Sequence, residues 1–109
     1  MEKLVITTTN EVEGYRIVRY IGVVRGVTVR SRSIVGQFAA SMQSLVGGKI
    51  GPYVELCEEA RKEAFQYMAQ HAVEVGANAV VGMRYDATEL GENMSEVLAY
   101  GTAVVIEPR

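Results

Sequence analysis

The chain has 109 residues, a formal net charge of −2 at pH 7 and 49% apolar residues. This length predicts one domain over residues 1–109, large enough to bury a core without disulfides. The single cysteine excludes an internal disulfide and is typical of a reducing compartment, so we expect a cytoplasmic protein. No apolar stretch is long enough for a signal peptide or a membrane-spanning helix, so no membrane partner is expected.

Charge is distributed unevenly along the chain. Residues 1–54 carry seven Lys or Arg and three acidic residues, whereas residues 55–109 carry four Lys or Arg and ten acidic residues. Five of the basic residues lie in a span that contains no acid: Arg16, Arg19, Arg25, Arg30 and Arg32. Such a cluster is the electrostatic footprint of nucleic-acid binding. Because the acidic second half can neutralise it within or between subunits, nucleic acid is not the partner that we expect.

The N-terminal third predicts two β-strands. Residues 4–9 are rich in β-branched side chains and predict a short strand, which a turn at residues 10–14 ends. Residues 15–29 predict an unusually long strand, with Gly22 and Gly26 as points of bulging or bending. Apolar side chains occupy both faces of this strand. One face carries Ile17, Ile21, Val23, Val27 and Val29, and the other carries Val18, Tyr20 and Val24.

Two helices are predicted in the middle of the chain. Ser33 can cap a shorter helix over residues 34–46, and a glycine-rich turn separates it from Pro52, which suits a first helical turn. A three-and-four spacing of apolar residues then predicts a long helix with one buried stripe, which Gly76 ends. The stripe consists of Tyr53, Leu56, Cys57, Ala60, Ala64, Tyr67, Met68, Ala72 and Val75.

Two further strands are predicted after the long helix. Residues 78–86 alternate with period two and place Ala79, Val81, Met83 and Tyr85 on one face. A polar turn over residues 87–93 leads to a last strand over residues 94–106, which is apolar on both faces. The predicted order is β-β-α-α-β-β. Hairpin pairing at each end then gives an α+β fold, with a mixed or antiparallel sheet and two helices on one face.

Several short motifs stand out in the chain: Val46-Gly47-Gly48-Lys49, Tyr53, Ala60-Arg61, Gly76-Ala77-Asn78-Ala79-Val80-Val81-Gly82 and Gly101-Thr102-Ala103-Val104. Together they resemble the motifs of the YbjQ-like family, which carries a heavy-metal-binding label. The resemblance implies a prokaryotic, ring-forming subunit of the dodecin and YbjQ kind, a homopentamer and no agreed biochemical function. The chain departs from the family at Lys49, Val54 and Cys57, where Arg, an acid and Leu are usual.

The metal label finds little support in the residues themselves. A closed site for a soft metal needs three or four thiolate or imidazole ligands, and this chain has one cysteine and one histidine. Cys57 and His71 would lie about 21 Å apart on the long helix, so one ion cannot bind both within a chain. A ring could still gather copies of either residue. We interpret Cys57 as a small buried apolar residue and His71 as a helix-flank residue, so that only the family label implies a metal cofactor.

A small anion is the other ligand that the sequence suggests. Gly47, Gly48 and Lys49 precede the long helix, where backbone N–H groups can bind an anion. With Tyr53 and Arg61 they form our candidate ligand site. The glycine spacing is not that of a P-loop, and a tight turn between two helices explains the glycines equally well.

We therefore predict a binding or interaction protein that holds a small ligand, an anion or a metal ion at subunit interfaces. The alternative is an enzyme whose active site is shared between subunits and uses Lys49, Tyr53, Arg61 and acids of the long helix. We favour binding because no nucleophile–base pair is visible in the sequence.

Association of the chain with itself is expected from the strand patterns. An antiparallel sheet with one solvated face alternates apolar and polar residues, but the second and last strands are apolar on both faces. A second copy of the chain is the simplest cover for the surplus apolar surface, and head-to-tail contact closes into a ring. The number five comes only from the family resemblance.

Overall fold

A computed structural model describes residues 3–31, 51–91 and 94–109. In these residues four strands form one mixed sheet, in the order β1-β3-β4-β2, and a long helix packs on one face. The elements are β1 (Val5–Ile6), β2 (Tyr15–Ser31), α1 (Gly51–Glu74), β3 (Ala79–Gly91) and β4 (Met94–Pro108). The α+β class and the mixed sheet are confirmed. The predicted shorter helix, residues 34–46, lies outside the described residues.

The central strand of the sheet is β4, which pairs antiparallel with both β2 and β3. The short β1 pairs in parallel with β3, with Val5 opposite Ala79 and Ile6 opposite Val80. The predicted hairpin between the first two strands is therefore wrong, because β1 and β2 lie at opposite edges of the sheet. The connection between them crosses the face opposite α1, where Val12 packs on the sheet.

The two glycines of β2 have different structural roles. Gly22 lies at a shift in the register with β4 and has a φ of 140°, which confirms it as a bulge position. Gly26 pairs in regular register, so a bulge there is wrong. A Cβ atom on Gly26 would clash with the carbonyl oxygen of Ala64 and the backbone nitrogen of Met68. Gly26 is therefore the point where the backbone of α1 comes closest to the sheet.

A bulge in β3 changes which side chains share a face. The register with β4 shifts between Val81 and Arg84, and Gly82 has a φ of 62°. Val81 consequently packs on the face opposite α1, whereas Met83 packs with the helix. The predicted single face from residue 79 to residue 85 is therefore wrong. The predicted polar turn is also too long, because β3 stays paired with β4 as far as Gly91.

The helix α1 buries a spine of four residues at strict four-residue spacing: Ala60, Ala64, Met68 and Ala72. The predicted stripe is wider than this spine. Cys57 is exposed, and Tyr67 and Val75 retain 48% and 37% exposure, so the prediction that these three residues face the core is wrong. Small side chains opposite Gly26 let the helix backbone lie close to the sheet, which makes the contact narrow. Residues beside the spine therefore remain in solvent.

The end of α1 follows the predicted glycine signal. Gly76 has a φ of 88°, its N–H donates to the carbonyl of Val73 at 3.0 Å, and the N–H of Ala77 donates to Ala72 at 3.0 Å. These two bonds define a Schellman motif, which only a left-handed residue permits. Asn78 follows immediately, and its side-chain amide forms hydrogen bonds of 2.9 and 2.7 Å with the C=O and N–H of Ile106. The motif thus fixes the path from helix to sheet.

Candidate functional site

A groove of about 760 Å³ opens between the first turns of α1 and the far half of the β3–β4 pair. Its lining is partly apolar and partly charged, and comprises Arg30, Leu56, Cys57, Ala60, Arg61, Tyr85, Asp86, Ala87, Thr88, Glu89, Ser95, Glu96 and Val97. An apolar concavity with a few charged groups at its rim is the usual form of a small-molecule site. We refer to it as the groove.

Two of the residues singled out in the sequence meet at the groove. Arg61 and Cys57 both line it, and both are exposed. The guanidinium of Arg61 lies 3.9 Å from the carboxylate of Glu58, which is longer than a hydrogen bond. Gly47, Gly48, Lys49 and the side chain of Tyr53 lie outside the described part of the chain. The anion site at the glycine turn therefore stays a prediction.

An ion pair holds the end of β2 against α1 beside the groove. A guanidinium nitrogen of Arg30 lies 2.6 Å from a carboxylate oxygen of Glu63, and the hydroxyl of Tyr67 donates to the other oxygen at 3.4 Å. The hydrogen bond from Arg30 lowers the pKa of Glu63 below its ordinary value. The sequence indicates Arg30 only as a member of a basic cluster, because the two partners of this pair are far apart in the chain and share no motif.

Among the described residues, His71 contacts the backbone of the sheet and no nucleophilic side chain. Its Nδ1 accepts a hydrogen bond of 3.2 Å from the N–H of Arg25. A Ser-His or Cys-His pair would need that nitrogen or its neighbour to face a hydroxyl or thiol, and no such contact occurs among the described residues. The enzyme alternative thus gains no support from His71.

The donor groups do not fit a heavy-metal site within one chain. Within residues 3–31, 51–91 and 94–109, no three His, Cys, Asp or Glu side chains come together in a way that could hold a metal ion. Cys57 and His71 lie near opposite ends of α1, as their spacing predicted, and Cys57 faces the groove while His71 faces β2. No step of any mechanism is therefore assigned to a metal.

The sheet also has a partly uncovered face, opposite α1. The N-terminal crossover covers its first half, where Val12 packs on a cluster that includes Val104 and Ile106. Beyond the crossover, the register brings together residues of three strands: Val23, Arg25, Val27 and Val29 of β2, Glu96, Leu98, Tyr100 and Thr102 of β4, and Arg84, Asp86 and Thr88 of β3. We call this region the open face. Tyr100 lies at its centre between Arg25 and Arg84.

Comparison with known proteins places this chain among proteins of similar length. Residues 4–107 match a family model described as "Putative heavy-metal-binding". The UPF0145 protein of Solibacter usitatus is 53% identical over 103 residues, covering 94% of this chain and 92% of the relative. The UPF0145 protein of Chromobacterium violaceum is 57% identical over 103 residues, covering 94% of this chain and 88% of the relative. The UPF0145 protein of Burkholderia thailandensis is 58% identical over 99 residues, covering 91% of this chain and 89% of the relative.

A solved structure shares the fold. The crystal structure of a DUF74 family protein of unknown function from Pediococcus pentosaceus superposes with a TM-score of 0.62, at 18% identity, covering 95% of this chain and 98% of the other. In the described residues of the present chain, no helix combines the length and hydropathy needed to cross a membrane. The family model and the close relatives together confirm the resemblance seen in the sequence: the chain belongs to the YbjQ family of UPF0145 proteins.

Proposed function

We propose that this protein is a subunit of a closed homo-oligomer that binds a small ligand and does not transform it. A ring of five subunits is the form that the family resemblance implies. The observation that supports association is the open face, where large apolar side chains stay in solvent although they belong to the sheet. Val23, Val27 and Val29 are 72%, 40% and 42% exposed, and Leu98 and Tyr100 beside them are only half-buried.

The shape of the chain also favours association. The radius of gyration of the Cα atoms is 17.3 Å, whereas a compact monomeric domain of this length has about 13 Å. An elongated sheet has much surface for its volume, and contiguous exposed apolar patches are rare on monomeric proteins. Packing of the open face against another copy would cover the exposed apolar patch.

The groove is the ligand site of this proposal. It opens between α1 and the β3–β4 pair and shares Asp86, Thr88 and Glu96 with the open face, so contact through the valines of β2 is expected to leave accessible the part of the groove that α1 forms. Arg61 is half exposed and lies 3.9 Å from Glu58, so its guanidinium can turn toward a bound carboxylate or phosphate. The apolar side chains Leu56, Ala60 and Val97 suit an aliphatic or aromatic portion of the same ligand.

Light scattering coupled to size exclusion tests the association. The native protein is expected to elute at a multiple of the 11.9 kDa chain mass. Val23→Lys places a charge on the open face and is expected to lower that mass. Val73→Lys is the matched control, because Val73 is 52% exposed and lies on α1, away from the open face. A native mass of one chain would overturn the proposal. Equal effects of the two substitutions would show that association uses another surface.

Ligand binding is tested by thermal shift with a panel of small carboxylates and phosphates that carry an apolar group. A ligand of the folded state raises the melting temperature by mass action. Arg61→Gln is expected to reduce the shift, and Arg16→Gln, which changes an exposed arginine paired with Glu107, is expected to preserve it. The ligand assignment fails if no compound produces a shift, or if both variants respond as the native protein does.

A further inference from the structure

Two neighbouring cavities of the structure share two side chains. Beside the groove, a second hollow of about 950 Å³ lies against α1, and Arg61 and Tyr85 line both cavities. A side chain that lines two adjoining cavities stands at the boundary between them. The guanidinium of Arg61 and the ring of Tyr85 therefore belong to the same wall of the groove.

Tyr85 reaches this wall from the sheet. It pairs with Ala99 of β4, which is fully buried in the core under α1, so both side chains lie on the helix side of the sheet. The methyl group of Ala99 is too small to cover a tyrosine ring, and Tyr85 retains 46% exposure. A planar aromatic surface is thus accessible in the groove, beside a cation.

The charges of the lining favour a ligand with one negative charge. Of the two guanidiniums in the groove, that of Arg30 is held by Glu63 at 2.6 Å, whereas Arg61 is half exposed. The β3–β4 side of the groove carries carboxylates, among them those of Asp86 and Glu96. A single half-exposed guanidinium that faces carboxylates attracts a monoanion, whereas a phosphate monoester, with nearly two negative charges, meets more repulsion.

We propose that the groove binds an aromatic monocarboxylate, with the carboxylate on Arg61 and the ring against Tyr85. This inference rests on the proposed function and narrows its ligand to one chemical class. Arginine binds a carboxylate through two parallel N–H donors, and aromatic rings attract each other in offset or edge-to-face geometry. The volume of the groove, about 760 Å³, is that of an ordinary small-molecule site.

Aromatic character, and not apolar area alone, is the property of the ligand that Tyr85 recognises. Phenylpropionate and cyclohexylpropionate share the carboxylate and the linker and differ only in the ring. The saturated ring buries at least as much apolar surface, so burial by itself gives no preference for the phenyl group. Contact between two aromatic rings adds to burial, and we expect it to give about a fivefold preference for phenylpropionate.

Isothermal titration calorimetry at pH 8 and constant ionic strength tests the ligand class. Native protein is expected to bind phenylpropionate about fivefold more tightly than cyclohexylpropionate. Phenyl phosphate is a dianion at this pH and is expected to bind more weakly than phenylpropionate. Equal affinity for the two carboxylates would overturn the aromatic assignment. Phenyl phosphate binding as tightly as phenylpropionate would overturn the choice of a monocarboxylate.

Substitutions of Tyr85 test its part in recognition. Tyr85→Leu is expected to lose the preference for the phenyl ring and to keep its affinity for cyclohexylpropionate, whereas Tyr85→Phe keeps the ring and the preference. Tyr20→Leu is the matched control, because Tyr20 is a 70% exposed tyrosine of β2 that does not line the groove. A preference that persists in Tyr85→Leu, or that Tyr20→Leu also abolishes, would overturn the role of Tyr85.

Failure of the proposed function gives a different result from failure of this inference. If the groove is not a ligand site, neither carboxylate binds to the native protein, and both proposals fall. If both carboxylates bind with equal affinity and Arg61→Gln weakens both, the ligand site stands and the aromatic assignment alone is wrong. The Arg61→Gln variant therefore reports on the site, and the Tyr85 variants report on the class of ligand.

Discussion

The close approach of α1 to Gly26 makes a strong prediction about Gly26→Ala. The added Cβ would overlap the carbonyl oxygen of Ala64 and the nitrogen of Met68, and would lie 2.8 Å from the Cβ of Tyr67. None of these atoms can rotate away, so the helix must move from the sheet. Its displacement loosens the buried spine and strains the hydrogen bond of 3.1 Å from the Thr28 hydroxyl to the carbonyl of Ala60.

The magnitude follows from what the helix loses. Overpacking of a core by a methyl group costs typically about 1–3 kcal/mol, and a clash with rigid backbone belongs at the upper end. We therefore expect a loss of about 3 kcal/mol or more, which for a domain of this size lowers the melting temperature by about 12 °C or more. Calorimetry at one fixed protein concentration measures the change, because the melting temperature of a protein that associates depends on its concentration.

Gly14→Ala separates steric overlap from backbone strain. Gly14 has a φ of 83° with nothing within 4 Å of an added Cβ, so only the left-handed conformation opposes alanine there. Its cost is expected to be about 1–2 kcal/mol, clearly less than that of Gly26→Ala. If Gly26→Ala lay within about 1 kcal/mol of the native protein, the helix would not approach the sheet as closely as the structure shows.

Three further predictions concern single side chains. Asn78→Ala removes both hydrogen bonds to Ile106 and is expected to cost about 2 kcal/mol in urea unfolding, whereas Asn10→Ala at an exposed turn should change stability by less than about 0.5 kcal/mol. Glu63 has a lowered pKa in the folded state, so its ion pair stabilises the protein above the ordinary glutamate pKa and is lost as pH falls through the lowered value. The difference in urea midpoint between native protein and Glu63→Gln should accordingly be largest near pH 7 and narrow below about pH 4, and a constant difference would refute the role of the pair. Cys57→Ser, at an exposed position, should shift stability by less than about 0.5 kcal/mol and leave the metal content by elemental analysis unchanged; loss of a bound metal would instead support the family label.

The parts of the fold that follow local rules could be predicted from the sequence. The long helix, its end at Gly76 and the bulge at Gly22 each depend on a residue and its near neighbours. The family motif that begins at Gly76 combines a local and a distant role. Gly76 and Ala77 end the helix through local hydrogen bonds, and Asn78 binds the backbone of Ile106 in the central strand, so these three residues have structural roles.

The features that depend on distant partners could not be predicted. The face of Met83 depends on a bulge that Gly82 permits but does not require, and the exposure of Cys57 depends on how closely α1 approaches Gly26. The groove is assembled from residues of α1, β2, β3 and β4. Of these lining residues, the sequence indicates only Arg61 and Cys57 as candidates for a site. Hydrophobic periodicity and composition describe one helix or strand at a time, whereas the groove lies between several of them.

The central position of β4 has a consequence for how the protein acquires its fold during synthesis. Tyr15 at the start of β2 pairs with Pro108 at the end of β4. Val5 of β1, at the other edge of the sheet, pairs with Ala79 of β3. A ribosome makes both N-terminal strands long before either has a partner, and sheets built on such distant contacts fold slowly. Until translation has passed Pro108, β2 has no complete β4 to pair with. We therefore expect the nascent chain to be the state that most needs a chaperone.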